Sequence, residues 1–214
     1  MIKSVILGLL IASNFWCYFV AYLIGAIPFG LLIGKFFGGV DIKSQGSGSI
    51  GATNVLRVLK ESDPKKAKIL AIATVACDAL KGAVPILIAR ALGFDENVLW
   101  AMAVFAVVGH CFSPYLGFNG GKGVATGAGV LACFVPIELL IAFAVWFVVG
   151  KVLKISSVAS LAAALALIIA SYVIHPNMPA INTHAPIFII VFIIFYKHIP
   201  NIKRLIRGEE KRVI

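Results

Sequence analysis

The stretch GHCFSPYLGFNGGKGVAT, residues 109–126, separates two apolar segments and gives the first indication of how the chain is built. Four glycines lie close to Lys122 in this stretch: Gly117, Gly120, Gly121 and Gly123. Successive glycines let backbone amides point toward one anion without Cβ clashes, and a lysine adds a positive charge to such a concave loop. We therefore expect a phosphate-binding loop at a membrane surface. A flexible connector between helices is the alternative.

The composition is that of an integral membrane protein. Of the 214 residues, 61% are hydrophobic, and the mean hydropathy is +1.02. Soluble domains contain about 45–50% apolar residues. No polar, proline-rich or serine-rich linker divides the apolar runs, so we expect residues 1–214 to form a single domain. The four cysteines are scattered singly, without a CxxC pair, and predict neither a disulfide nor a metal site.

The apolar segments predict an all-α polytopic membrane protein with about seven transmembrane helices. The predicted spans are residues 15–36, 67–92, 98–110, 124–135, 137–154, 156–174 and 185–196. The first is expected to kink at Pro28. Before it, residues 1–14 are either part of one long span or an interfacial lead-in, since no clear cleavage site follows them.

The basic residues predict the orientation. Alternating crossings place 16 of the 19 lysines and arginines on one side of the membrane. The other three are Lys3, Lys81 and Arg90. By the positive-inside rule the basic side is cytoplasmic, so the N-terminus lies outside and the C-terminus is cytoplasmic. The net charge of +10 is thus a topology signal, and we expect no nucleic-acid partner.

A second glycine-rich stretch, SQGSGSIGATNVLR at residues 44–57, lies on the same predicted face. It leads into a short helix whose N-terminal amides could face an anion, although a flexible linker is the alternative. Together with the C-terminal tail, the two loops supply the cations Arg57, Lys122 and Arg204. The accompanying hydrogen-bonding groups are Ser47, Ser49, Thr53, Asn54, His198 and Asn201. Such a set fits phosphate groups held against a bilayer.

Two ionisable residues interrupt the second span. Asp78 and Lys81 are spaced i,i+3 on one helix face, so we expect them to pair inside the bundle, either for function or to orient two helices. His110 ends the third span and is either an orienting or acid–base group or a structural residue. No Walker motif, G-x-S-x-G elbow or His/Cys cluster is present, so we expect no nucleotide chemistry, metal or cofactor.

Three stretches together resemble the cytoplasmic motifs of the bacterial acyl-phosphate-dependent glycerol-3-phosphate acyltransferases, the PlsY family. They are residues 44–57, residues 109–126 and HIPNIKRLIRGEE at 198–210. GAIPFG at 25–30 and DALKG at 78–82 are shorter matches. The resemblance runs from about residue 21 to residue 210, in the family's order and spacing.

The resemblance implies a membrane enzyme that moves a fatty acyl group from acyl phosphate to the 1-hydroxyl of sn-glycerol 3-phosphate. The products would be lysophosphatidate and inorganic phosphate, in the first acylation of phospholipid synthesis, without a covalent enzyme intermediate. The expected location is the bacterial inner membrane, with the active site facing the cytoplasm. Expected partners are the two substrates and the bilayer; no particular protein partner is indicated.

The resemblance also implies roles for individual residues. Ser47, Arg57 and Lys122 would bind phosphate, and His198 and Asn201 would position glycerol 3-phosphate. The remaining substrate-binding candidates are Ser49, Thr53, Asn54, Gly120, Gly121, Gly123 and Arg204, and the supporting candidates are His110, Glu210, Asp78 and Lys81. Of these, Thr53 and Asn54 would also shape the first loop, and Glu210 would hold the tail in place. Within this set we expect Lys122 and the amides of residues 120–123 to stabilise phosphate charge, while His198 orients the acceptor or a substrate phosphate takes its proton.

The chain departs from the family pattern at two points. Ser49 stands where asparagine is usual, and the histidine of the tail is followed by Ile199 and Pro200 rather than by polar residues. The competing function is a small anion or phosphate transporter, for which a midspan Asp78 and Lys81 would be suitable. The polar motifs gather at one face rather than at the midplane, which favours the enzyme. A non-enzymatic assembly subunit is the third alternative.

Overall fold

The computed structural model describes the backbone of residues 2–212 and the side chains of residues 14–212. This part of the chain is all-helical, as predicted, with no strand. Its α-helices are α1 Ile2–Gly25, α2 Phe29–Phe36, α3 Ala52–Leu59, α4 Pro64–Ala91, α5 Glu96–Cys111, α6 Val124–Ala132, α7 Pro136–Leu153, α8 Ser156–Ile174, α9 Ala185–Lys197 and α10 Ile199–Ile206. A single 3-10 turn, Pro114–Leu116, follows α5.

The predicted count of about seven crossings is not confirmed. Among the described residues, five segments are long and apolar enough to cross a bilayer: Asn14–Phe36, Pro64–Ala91, Glu96–Leu116, Pro136–Leu153 and Ser156–Ile174. Helices α9 and α10 meet the same limits only as a pair bent by 53°, which would be a sixth. The predicted span at 124–135 contains α6, whose nine residues extend only about 14 Å against a hydrocarbon core of about 30 Å.

Helix α6 is short because its preceding loop enters the helix bundle. The start of α6 packs beside Gly82, where a Cβ would lie 3.0 Å from the Thr126 carbonyl oxygen. Just past its other end, the Cys133 carbonyl accepts a 2.7 Å hydrogen bond from Arg90, the penultimate residue of α4. Since Gly82 lies about two-thirds of the way along α4 from Pro64, the glycine-rich loop before α6 lies well below the end of the bundle.

The first span is broken at Pro28, which confirms the predicted kink. Proline has no N–H to continue the helical hydrogen bonds, and the freed carbonyls nearby find side-chain partners. The Ile27 carbonyl accepts from Lys81 Nζ at 2.7 Å, and the Ala26 carbonyl accepts from Ser113 Oγ at 2.7 Å. The break therefore ties α1 to α4 and to the chain that leaves α5. The lead-in belongs to α1, but the side chains of residues 1–13 lie outside the described part.

Helices α7 and α8 form a hairpin at one side of the bundle. Their outward faces are apolar and exposed, as at Phe147, Val152 and Val173, which suits contact with lipid. At the end of the hairpin away from the glycine-rich loops, the fully buried Glu138 carboxylate contacts the His175 ring. The hairpin thus forms a lipid-facing wall in front of α6 and α9.

Candidate active site

The first loop is held together by Asn54, whose side chain is 1% exposed. Its Nδ2 donates to three backbone carbonyls, those of Ile42 at 2.7 Å, Ser49 at 2.8 Å and Gln45 at 3.1 Å, with one of its two hydrogens shared between two of them. Its Oδ1 accepts from the Ser47 N–H at 2.8 Å. Because one buried amide satisfies four backbone groups, the loop keeps a fixed shape, and this agrees with the shaping role expected for Asn54.

The hydroxyl residues of this loop face a common cavity. Ser47, Ser49, Thr53 and Arg57 all line it. The Ser49 hydroxyl accepts from the Gly51 N–H at 3.3 Å, so the serine at this position supports the loop's own turn. Thr53 Oγ1 lies 3.2 Å from Ser156 Oγ at the start of α8, which joins the loop to the hairpin.

The second loop uses its glycines for close packing. The Gly120 N–H donates to the Cys111 carbonyl at 3.2 Å, and the Gly121 N–H donates to the His110 carbonyl at 3.0 Å. A Cβ at Gly121 would lie 2.1 Å from His110 Nε2. The prediction that the amides of Gly120 and Gly121 face phosphate is therefore wrong, because both amides are already bonded and neither residue lines the cavity.

Lys122 and Gly123 are the members of the second loop that reach the cavity. Gly123 has φ +81° and is the N-cap of α6, where no side chain caps the first turn. The free N–H groups at this helix start favour an anion. Burial lowers the pKa of Lys122 to about 8; Arg204 and Arg57 also lower it, while Glu210 opposes the shift. Lys122 is thus a poorly solvated cation in need of an anionic partner.

The C-terminal tail supplies the third wall. His198, 2% exposed, lies at the bend between α9 and α10, with its Nδ1 2.7 Å from the Ile194 carbonyl. A carbonyl can only accept, so Nδ1 carries the hydrogen, and in the neutral ring Nε2 is an acceptor for a ligand hydroxyl. Pro200 lies in the first turn of α10, where no helical N–H is required, so it does not disturb the tail.

Glu210 holds the tail in place, as expected. Its carboxylate accepts from Asn201 Nδ2 at 2.6 Å, from Arg204 Nε at 2.6 Å and from Ser157 Oγ at 2.8 Å. Burial raises the pKa of this carboxyl, but the three hydrogen bonds outweigh burial and leave its pKa below the usual value. Asn201 and Arg204 are thereby fixed beside the cavity that both line.

The contribution of α8 was not predicted from the sequence. Ser156, Ser157 and Ser160 line the cavity at the first turns of this helix, and the sequence interpretation named none of them. Ser160 follows Ser157 by three residues and Ser156 by four, which places the serines on one face at a helix start, and this spacing was the available signal.

Three buried ionisable residues lie beside the second loop, and two of them, Asp78 and His110, also line the cavity. Lys81 Nζ and Asp78 Oδ1 are 2.7 Å apart, so the expected pair is formed. His110 Nδ1 lies 3.8 Å from the same Asp78 oxygen, and the His110 ring packs against Gly121. These contacts support the glycine-rich loop from within the bundle.

The three walls enclose a cavity of about 600 Å³. Its polar end contains every cation predicted for the site, namely Arg57, Lys122 and Arg204. Its other end is an apolar arm between α6, α7, α8 and α9. The arrangement fits a ligand with a phosphate head and a long apolar tail.

A family model described as glycerol-3-phosphate acyltransferase matches residues 15–208. The chain belongs to this family. A glycerol-3-phosphate acyltransferase of Campylobacter lari is 65% identical over 202 residues, covering 94% of this chain and all of the relative. A Campylobacter concisus glycerol-3-phosphate acyltransferase is 62% identical with the same coverage.

Solved structures of family members support the same conclusion. The glycerol 3-phosphate form of PlsY, an integral membrane glycerol 3-phosphate acyltransferase, matches with a TM-score of 0.81 and 36% identity, over 94% of this chain and 95% of that one. The lysophosphatidic acid form of PlsY matches with a TM-score of 0.80 and 35% identity. Family membership confirms the predicted glycerol-3-phosphate acyltransferase, in preference to the transporter.

The lowered pKa of Lys122 predicts how acyl transfer depends on pH. If the ammonium form is required, kcat/KM falls about tenfold per pH unit above pH 8. In Lys122→Arg the guanidinium keeps its charge throughout this range, so the remaining activity stays flat. Initial rates between pH 6.5 and 9.5 test this, after correction for donor hydrolysis. An identical decline in both proteins would assign the titration to another group.

The contacts of Glu210 predict a defect in acceptor binding. Glu210→Ala removes the common partner of Asn201 and Arg204, so we expect KM for glycerol 3-phosphate to rise at least about tenfold. Glu61→Ala removes an exposed acidic residue outside the cavity and is the control for charge. Steady-state kinetics with varied acceptor measure the effect, and an unchanged KM in Glu210→Ala would contradict the holding role.

Proposed function

We propose that this acyltransferase uses acyl phosphate as its donor and acylates the 1-hydroxyl of sn-glycerol 3-phosphate, releasing lysophosphatidate and inorganic phosphate. The observation that carries the proposal is the shape of the cavity, which joins a polar end containing the three predicted cations to an apolar arm. Both phosphate heads then lie among Arg57, Lys122 and Arg204, while the acyl chain extends along the arm. The proposal treats residues 1–214 as one domain.

Lys122 is the proposed partner of the donor phosphate. It lies immediately before Gly123, the N-cap of α6, and α6 continues as a wall of the apolar arm. The acyl–phosphate linkage must lie where the polar end meets this arm. As the linkage breaks, negative charge grows on the leaving phosphate, and the poorly solvated ammonium together with the start of α6 stabilises that charge.

The acceptor is proposed to lie between the first loop and the tail. Arg57 grips its phosphate, and His198 Nε2 accepts a hydrogen bond from its 1-hydroxyl. The hydroxyl oxygen attacks the acyl carbonyl carbon, and the bond from that carbon to the phosphate oxygen breaks. The hydroxyl proton leaves its hydrogen bond to His198 Nε2 and passes to the departing phosphate. An acyl phosphate is already an activated mixed anhydride, so alignment and charge stabilisation are the main tasks of the site.

A donor comparison tests the proposal. Purified protein in detergent receives labelled glycerol 3-phosphate with palmitoyl phosphate, palmitoyl-CoA or palmitoyl-acyl carrier protein, and lysophosphatidate is measured. Of the three donors, we expect only palmitoyl phosphate to give turnover, because a thioester donor brings no phosphate leaving group to Lys122. Comparable turnover with a thioester and none with palmitoyl phosphate would overturn the choice of donor.

The proposed location is the bacterial inner membrane, with the cavity's polar end facing the cytoplasm, the N-terminus outside and the C-terminus cytoplasmic. The support is the predicted clustering of 16 of 19 basic residues on this side. Cysteine introduced at Lys211, beside the cavity, should react with a membrane-impermeant maleimide in whole cells only after permeabilisation. Labelling in intact cells would reverse the orientation.

A further inference from the structure

The apolar arm ends in three leucines. Leu131, Leu139 and Leu167 line it on α6, α7 and α8. About one helical turn nearer the polar end, the same helices contribute small side chains, those of Gly127, Ala128, Ala142, Ala163 and Ala164. Nearer still to the polar end, Phe143 and Trp146 of α7 and Ile194 of α9 also line the cavity. Over the last turn of the arm, the lining therefore changes from small side chains to leucines.

The positions of the three leucines along their helices place all of them far from the polar end. Leu167 follows Ser156 by eleven residues in α8, a rise of about 16 Å. Leu131 follows Gly123 by eight residues in α6, about 12 Å from a start that is itself sunk in the bundle. Leu139 is the position of α7 closest to the hairpin's far end among the residues that line the cavity. Each is the deepest lining residue of its helix.

The deep end is backed by packed core. Leu131 and Leu167 are 2% and 4% exposed and belong to one buried cluster. Beyond Leu131, Phe134 stacks on Trp100 with ring centroids 4.0 Å apart. Because packed interiors leave few voids and respond little to a ligand, a chain that reaches this point cannot extend farther without displacing these side chains.

We propose that Leu131, Leu139 and Leu167 form the closed end of the acyl groove and set the longest acyl chain that the enzyme uses efficiently. The inference rests on the proposed function in one respect, the placement of the acyl chain in the apolar arm. In the opposite arrangement, the chain end would leave sideways past α7 into lipid, and these leucines would have no influence on chain length.

Leu167→Ala is the first test, with Leu165→Ala as its matched control. Leu165 lies on the same helix but is 51% exposed on the outer face. For each protein, kcat/KM is measured with lauroyl, myristoyl, palmitoyl, stearoyl and arachidoyl phosphate. The quantity compared is kcat/KM for the next donor longer than the wild-type optimum, divided by kcat/KM for the optimal donor. This ratio should be about tenfold higher in Leu167→Ala than in wild type, since each additional buried methylene contributes about fourfold. Leu165→Ala should leave the ratio unchanged.

Ala164→Phe tests the same groove in the opposite direction. A bulky ring one helical turn before Leu167 should shift the optimum to shorter chains and lower kcat/KM for palmitoyl relative to lauroyl phosphate at least about tenfold. Retained turnover with lauroyl phosphate shows that the variant is folded. An unchanged chain-length profile in both Ala164→Phe and Leu167→Ala would overturn the inference.

A binding measurement separates this inference from the choice of donor. Lysophosphatidates of the same chain lengths are titrated into wild type, Leu167→Ala and Leu165→Ala, with thermal stabilisation as the readout. If the lysophosphatidate that stabilises Leu167→Ala most has a longer chain than the one that stabilises wild type most, the closed end is supported, even if no acyl phosphate is a donor. Identical profiles in the three folded proteins contradict it, whatever the donor.

Discussion

Lys122→Ala is expected to lower kcat for acyl transfer about 10²–10³-fold, the loss typical when one charge-stabilising donor is removed. Lys122 lines the cavity immediately before Gly123, the N-cap of α6, and α6 continues as a wall of the apolar arm. Burial has already weakened the hydration of its ammonium group, as the pKa of about 8 indicates, so its interaction with a phosphate is little screened by water. The methyl side chain of alanine leaves the departing phosphate without this charge.

Two further variants make the result specific. Lys203→Ala removes a basic residue from the exposed side of the same tail and should retain wild-type turnover. Lys122→Arg keeps the charge but changes its geometry, so it should regain part of the lost activity. Single-turnover measurements with saturating substrates give the chemical step. A Lys122→Ala enzyme with wild-type kcat would contradict the charge-stabilising role.

Gly121→Ala is expected to have the second-largest effect, by displacing the loop that carries Lys122. A Cβ at this position would lie 2.1 Å from His110 Nε2, and His110 is itself buried beside Asp78 and Lys81. Either the ring or the loop must move. A displacement of about 1 Å at a reaction centre costs about 10²-fold in rate, and overpacking lowers the free energy of unfolding by about 1–3 kcal/mol.

Gly150→Ala is the matched control for the glycine substitution. It adds the same methyl group within α7, where the nearest atom, the Ala159 Cβ, would be 3.6 Å away. Thermal unfolding in detergent and kcat should both stay close to wild type. If Gly121→Ala equalled Gly150→Ala in both measurements, close packing between the loop and His110 would not be what positions Lys122.

The meeting of the three motifs was predictable because alternating crossings put them on one side of the membrane. Stretches on the same side of a membrane protein can surround one cavity, and this holds for residues 44–57, 109–126 and 198–210. The cations from these stretches, Arg57, Lys122 and Arg204, all line the cavity. The Asp78–Lys81 pair was predictable for a similar reason, since i,i+3 spacing leaves the two side chains adjacent on a helix.

The depth of the second loop was not predictable in the same way. Hydropathy locates apolar residues along the chain but does not report how far a loop descends between helices. Hydropathy therefore predicts a crossing at 124–135. In the structure, α6 covers only nine residues, and the loop before it spans the rest of the depth from the end of the bundle. For the same reason, Gly120 and Gly121 were given ligand-binding amides, although those amides bond to the end of α5.

The partners of Glu210 show a further limit of the sequence. A carboxylate at the end of the tail could be expected to hold that tail, and its bonds to Asn201 and Arg204 are local along the chain. Its bond to Ser157 crosses 53 residues. Long-range contacts of this kind follow from how helices pack, and neither composition nor local spacing encodes them.

The most direct test of the account is a doubly labelled turnover assay on the purified protein. Palmitoyl phosphate carries ³²P, glycerol 3-phosphate carries ¹⁴C, and inorganic phosphate and lysophosphatidate are quantified together. A single site that aligns both substrates predicts equal amounts of the two products, with phosphate release dependent on glycerol 3-phosphate. Phosphate release that is independent of glycerol 3-phosphate, or the absence of ¹⁴C-labelled lysophosphatidate, would contradict it.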